Sequence, residues 1–206
     1  LHHQFEEQAA QTPSRLALSF YSSLGSLPTN VSYGELNARA NGLAKVLKEE
    51  NVDIVPICMD RSVELYVGIL AILKAGSAWC PIDETAPVQR RTSLIARTQS
   101  NILLTNTQSL HLVEPCLCQK SLESLRIILI DEYANHKSTV NPDPRQGTLS
   151  PYELSGQDLA YLLWTSGTTG EPKGVMIQHF AATQAMRDLQ IQVEHNQTWE
   201  QVRVLQ

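Results

Sequence analysis

Between Leu159 and Ile177 the chain leaves an apolar run, Leu159-Ala160-Tyr161-Leu162-Leu163-Trp164, for Thr165-Ser166-Gly167-Thr168-Thr169-Gly170-Glu171-Pro172-Lys173-Gly174. It then returns to a second apolar run, Val175-Met176-Ile177. These residue types suit a polyphosphate. Glycine admits positive φ and lets the backbone approach a ligand closely. Successive N–H groups in such a turn form an anion-binding nest. Thr165, Ser166, Thr168 and Thr169 add neutral donors, and Lys173 brings a positive charge that meets a phosphate as a point charge. Pro172 stiffens the turn just before that lysine. The spacing is not that of a Walker A loop, because no Gly-Lys-Ser/Thr follows the first glycine by five residues. With a formal net charge of −5, the chain as a whole does not attract anions, so a phosphate must be held locally.

The elements that must position this stretch can be read from the apolar pattern. A helix is expected over Phe5–Ala10, ended by Thr12-Pro13. Leu16–Tyr21 reads as a strand, and Val31–Tyr33 as a short strand able to pair with it. Leu36, Ala40, Leu43, Ala44 and Leu47 give one apolar face to a helix over Gly34–Glu50. Val52–Met59 is a buried strand. Ser62–Ala75 follows as a helix, capped by Ser62 and stopped by Gly76. Ala78–Ile82 is a strand, Pro87–Thr98 a helix, and Ile102–Leu104 and Ile127–Ile130 are further strands. The last two are branched and aliphatic without polar alternation, the pattern of parallel strands covered on both faces. The alternation of strand and helix predicts an α/β fold around a largely parallel sheet. The polar stretch Tyr133–Gly156, with three prolines, reads as a long excursion.

Twelve positions, Leu162 through Lys173, resemble the AMP-binding signature of the adenylate-forming superfamily, which includes acyl- and aryl-CoA ligases, luciferases and adenylation domains of peptide synthetases. The resemblance implies that Thr165, Ser166, Gly167, Thr168, Thr169, Gly170 and Lys173 line the loop around the β- and γ-phosphates of ATP. Lys173 would act in catalysis by screening charge on departing pyrophosphate, not as a general acid or base. Two more segments bear on the branch. Leu73-Lys74-Ala75-Gly76-Ser77-Ala78-Trp79-Cys80-Pro81-Ile82-Asp83 is similar to a core motif of nonribosomal peptide synthetase adenylation domains, with Trp79 and Cys80 where Tyr and Val are usual. Pro87 and Arg90 fit the Pro-x-x-Arg that commonly follows. Val31-Ser32-Tyr33-Gly34-Glu35-Leu36 resembles the first core motif, and Phe5–Pro13 the lead-in helix. Tyr33, Leu36, Leu73 and Trp79 are expected in the core, with Glu35 as a local cap or hydrogen-bond partner.

The resemblance implies the N-terminal part of the adenylate-forming, acyl-CoA synthetase-like fold, with residues 1–206 an incomplete N-terminal subdomain and no C-terminal subdomain. It implies ATP-dependent activation of an amino acid as its adenylate, with Mg2+, and transfer to phosphopantetheine on a neighbouring carrier domain, with a condensation domain in the same synthetase. The motifs for the amino-acid pocket, adenine and ribose are absent; Val202–Gln206 is similar to the strand that leads to the first of them. The 206-residue fragment is therefore expected to be inactive alone. An acyl- or aryl-CoA ligase and a non-catalytic remnant remain as alternatives.

The other signals exclude more than they assign. The acidic balance gives no reason for a nucleic-acid or membrane partner, and no apolar run reaches the ~18 residues of a span. Cys58, Cys80, Cys116 and Cys118 fit neither a disulfide framework nor paired zinc knuckles, and read as reduced thiols of a cytoplasmic protein. No metal ligands are assigned. His2 and His3 are expected to be solvated. His179 is expected to cap or pack at the next helix or to lie near the nucleotide, and Asp83, Asp131 and Glu132 to serve structure.

Overall fold

The structure, a computed structural model, describes residues 1–23, 26–134, 155–165 and 171–196, with backbone alone at 134 and 190–196. Most of the expected elements form, and local signals set their ends. Helix α1 spans His2–Gln11, and Leu16–Phe20 (β1) pairs antiparallel with Thr29–Ser32 (β2). Ser32 ends β2 because its Oγ accepts from the Glu35 N–H at 3.2 Å, capping α2 over Tyr33–Glu50. Tyr33 is thus the first helical residue, not the end of a strand. The face Leu36, Ala40, Leu43, Ala44 and Leu47 is buried as its spacing requires.

Strand β3 (Ile54–Ile57) leads to α3 (Val63–Ala75), which has both expected stops. Ser62 Oγ accepts from the Leu65 N–H at 3.2 Å, and Gly76 closes the helix at φ 89, a left-handed conformation that favours glycine. Strand β4 (Ala78–Pro81), α4 (Val88–Arg97) and β5 (Ile102–Thr105) follow. Helix α5 (Leu110–Leu117) carries Pro115 inside it, which made the segment unreadable as a helix from sequence. Strand β6 is Arg126–Leu129, and Ile130 opens a short α6 (Ile130–Ala134) instead of ending the strand. Of the excursion expected over Tyr133–Gly156, residues 135–154 lie outside the described residues. Strands β7 (Leu159–Thr165) and β8 (Lys173–Gln178) and helix α7 (His179–Asn196) complete the described chain.

The main sheet has the order β6-β5-β3-β4-β7-β8. All neighbours are parallel except the last pair, β7 and β8. All four residues of β5 are buried, as an unalternating aliphatic strand inside a covered sheet must be. One core cluster joins α2 and α3 to β3 and β5 through Leu43, Leu47, Val55, Ile57, Val67 and Ile72. A second lies under α4 and α5, around Cys58, Cys80, Leu94, Ile95, Leu103 and Val113. Among the described residues no helix is long and apolar enough to cross a membrane.

Candidate nucleotide-phosphate site

Strand β7 runs parallel to β4, with Trp79 in register with Tyr161. The two rings sit 5.5 Å apart between centroids, so the core-motif residue Trp79 braces the strand that carries the glycine-rich turn. Trp79, expected in the core, is only partly buried and packs against the edge of the first core cluster. Strand β8 then returns antiparallel along β7, pairing Leu162 with Met176, Leu163 with Val175, Trp164 with Gly174 and Thr165 with Lys173. Gly174 suits its place because a Cβ there would stand 3.0 Å from Leu162 Cδ1 and 3.2 Å from Trp164 Cζ3.

The register brings together the two ends of the predicted phosphate loop. Thr165 is the last residue of β7, at the carboxyl end of the parallel strands, where open α/β sheets place their ligands. Its Oγ1 donates to the Lys173 carbonyl at 3.2 Å, and both residues are exposed. Lys173 therefore starts from a paired backbone and is exposed to solvent. The other five predicted loop residues, Ser166, Gly167, Thr168, Thr169 and Gly170, lie outside the described residues. Glu171 holds Arg97, at the end of α4, in an exposed ion pair at 2.5 Å that ties the hairpin to its neighbouring helix. Sequence spacing gave no hint of that pair, whose members stand 74 positions apart.

A buried seam supports the hairpin from the other side. Lys74, in the Leu73-Lys74-Ala75-Gly76 segment, has a side chain 1% exposed and pairs with Glu6 of α1. Burial lowers the Lys74 pKa, and the Glu6 carboxylate opposes that shift. His179 opens α7 directly after β8; it is 7% exposed, and its N–H donates to the Asp158 carbonyl at 2.9 Å. This is packing at the helix start, one of the roles expected for it. His2 corrects the sequence reading. Instead of being solvated it is 5% exposed, 4.3 Å from His3 and 6.0 Å from His179 between ring centroids. Burial above all, with nearby positive groups, pushes its pKa down to about 3. An isolated His-His pair carries no sign of burial in sequence; the signal was its place at the first residue of a helix, on the same face as Phe5 and Ala9 three and seven positions on.

The remaining candidates are structural. Asp83 accepts from both the N–H and the Oγ1 of Thr85, which lowers its pKa, and Asp131 accepts from the Thr107 N–H at 3.0 Å. Arg90 is exposed, while its neighbour Arg91 is buried and donates to the carbonyls of Glu84, Ala86 and Leu112. A cavity of about 680 Å³ lies at the opposite, amino end of β3 and β7, beside Asn51, Asp53, Gly76 and Asp158, away from the turn end of the hairpin that carries Thr165 and Lys173.

Comparison with known proteins gives the family. The profile of a family described as AMP-binding enzyme matches residues 5–206. The chain belongs to the AMP-binding enzyme family. Its relatives in that family include the siderophore peptide synthetase fer3 of Mycosarcoma maydis, 43% identical over 94% of this chain, and the nonribosomal peptide synthetase sidC of Aspergillus fumigatus, 40% identical over all of it. The chain spans about 4% of the length of each of these relatives. Among solved structures, it matches the AMPPNP-bound form of the nonribosomal peptide synthetase FmoA3 with a TM-score of 0.75 at 26% identity, over 94% of this chain and 18% of that one. The fold is that of the N-terminal part of such AMP-binding, adenylate-forming ligases, as the glycine-rich motif implies. The peptide-synthetase relatives agree with the core motif around Trp79.

Proposed function

We propose that this chain supplies the N-terminal part of an adenylation domain that activates an amino acid as its aminoacyl-adenylate for nonribosomal peptide synthesis. The observation that carries the reading is the β7–β8 hairpin of an AMP-binding enzyme, with Thr165 and Lys173 paired at its end and the Lys173 cation exposed. A carboxylate is a poor electrophile. Its oxygen attacks the α-phosphorus of ATP, the bond from that phosphorus to the bridging oxygen breaks, and pyrophosphate leaves. Charge grows on the leaving group, so preplaced donors and a cation lower the barrier by electrostatic stabilisation. Thr165 and Lys173 fill that role together with the donors of Ser166, Gly167, Thr168, Thr169 and Gly170. Lys173 acts as a fixed charge and transfers no proton.

Magnesium is less well provided for among the described residues. The only hairpin carboxylate is Glu171, and it already holds Arg97. The ion would therefore enter on the nucleotide's phosphates. The relatives are multidomain synthetases, which supports a carrier domain whose phosphopantetheine thiol takes the aminoacyl group, and a condensation domain beside it. Four free cysteines fit a reducing, cytoplasmic setting.

Amino-acid-dependent exchange of pyrophosphate into ATP by the full polypeptide tests the reading. Exchange stimulated by one or a few amino acids is the expected result. Exchange with fatty or aryl acids alone would assign a CoA ligase instead. No exchange from a folded, complete polypeptide would leave a non-catalytic remnant.

A further inference from the structure

At the amino end of α1, one ligand atom from each of His2, His3 and Glu6 lies within 4.8 Å of the others. His2 is buried, and its Nδ1 has no hydrogen-bond partner. Buried polar atoms are nearly always paired, so one facing no partner calls for an explanation. His3 is exposed on the same turn, and Glu6, half-buried, follows one turn later. From this geometry we propose that His2, His3 and Glu6 form a binding site for one divalent transition-metal ion, zinc by their ligand chemistry.

Two imidazoles and one carboxylate are a set that zinc accepts, at about 2.0–2.2 Å per ligand, with water in the open position. Imidazole also selects against magnesium and calcium, which prefer oxygen ligands. Ligands of a tetrahedral zinc at about 2.0–2.2 Å stand roughly 3.3–3.6 Å from one another; the three atoms already lie within 4.8 Å, and the exposed His3 ring is free to rotate toward the other two. Glu6 Oε1 meets Lys74 Nζ, and the second oxygen of the carboxylate is the one the ion would take. The groups facing the cluster are the Lys74 ammonium and His179, with Asp158 behind it. The site is weakened by the Lys74 ammonium, which holds one oxygen of Glu6. It lies away from the phosphate hairpin and does not depend on the adenylation reading. An ion there would join α1 more firmly to the seam that contains His179 and Lys74.

The test uses the full polypeptide, free of nucleotide and magnesium, titrated with zinc chloride against a chromophoric chelator. His3→Ala is the variant to compare, because its ring is exposed and the fold does not depend on it. The expected result is one zinc equivalent whose affinity falls by at least about tenfold in His3→Ala, with a zinc-dependent rise in melting temperature that the variant loses. Cobalt in place of zinc should give visible ligand-field bands in the parent and not in the variant. Equal zinc binding by parent and variant would overturn the proposal, as would no zinc binding by either.

Discussion

The parallel strands β3 to β6 and the β7–β8 hairpin share one sheet, but they are built under different constraints. Strand β5 is buried at every position, and its helices cover both faces. Strand β8, at the edge of the described sheet, is exposed at five of its six residues, including Val175 and Met176. Buried strands are held by packing and tolerate little change in volume. The hairpin is held by its backbone register and by a few contacts, among them Trp79 on Tyr161 and Arg97 on Glu171. The scaffold therefore sets stability, while the hairpin leaves Thr165 and Lys173 exposed at the end where we propose the phosphate site.

The largest stability loss is expected at the seam between α1 and α3. Glu6→Gln leaves the Lys74 ammonium buried without its counter-charge, which costs about 3–5 kcal/mol. Urea unfolding measures this, and a loss near zero would mean that Lys74 finds water in the folded state. In the buried sheet, Leu103→Ala removes a side chain 0% exposed and should cost about 2–5 kcal/mol in the same experiment. Met176→Thr on β8, 68% exposed, should change stability by no more than about 0.5 kcal/mol. A Met176 cost equal to that of Leu103 would erase the distinction between the two regions. Cysteine labelling sharpens it without mutation. Burial raises Cys58 to about 12 and Cys80 to about 11, whereas Cys118 is exposed. At pH 8 iodoacetamide should modify Cys118 in the native protein and reach Cys58 and Cys80 only after denaturation. Rapid native labelling of Cys80 would show that β4 opens readily.

The same contrast explains what sequence made visible. The apolar faces of α2 and α3, with Ser62 and Gly76 at their limits, are local signals, and the folded chain uses them as written. The glycine-rich turn was legible because its residue types only make sense together. Three things were hidden, and each depends on distant partners or on a local exception. Helix α5 tolerates Pro115 within it, against its ordinary effect. Lys74 looks like a basic residue in the last turn of a helix until Glu6, far earlier in the chain, buries it. His2 looks solvated until α7 brings His179 to its edge.

The most direct test is pyrophosphate exchange by the full polypeptide carrying Lys173→Ala, with its amino-acid substrate present and its urea midpoint measured in parallel. If Lys173 screens the departing pyrophosphate, exchange falls by about 10- to 1,000-fold while the unfolding midpoint stays in place, since the side chain is exposed. Unchanged exchange at an unchanged midpoint would contradict that role and leave the hairpin a structural element alone.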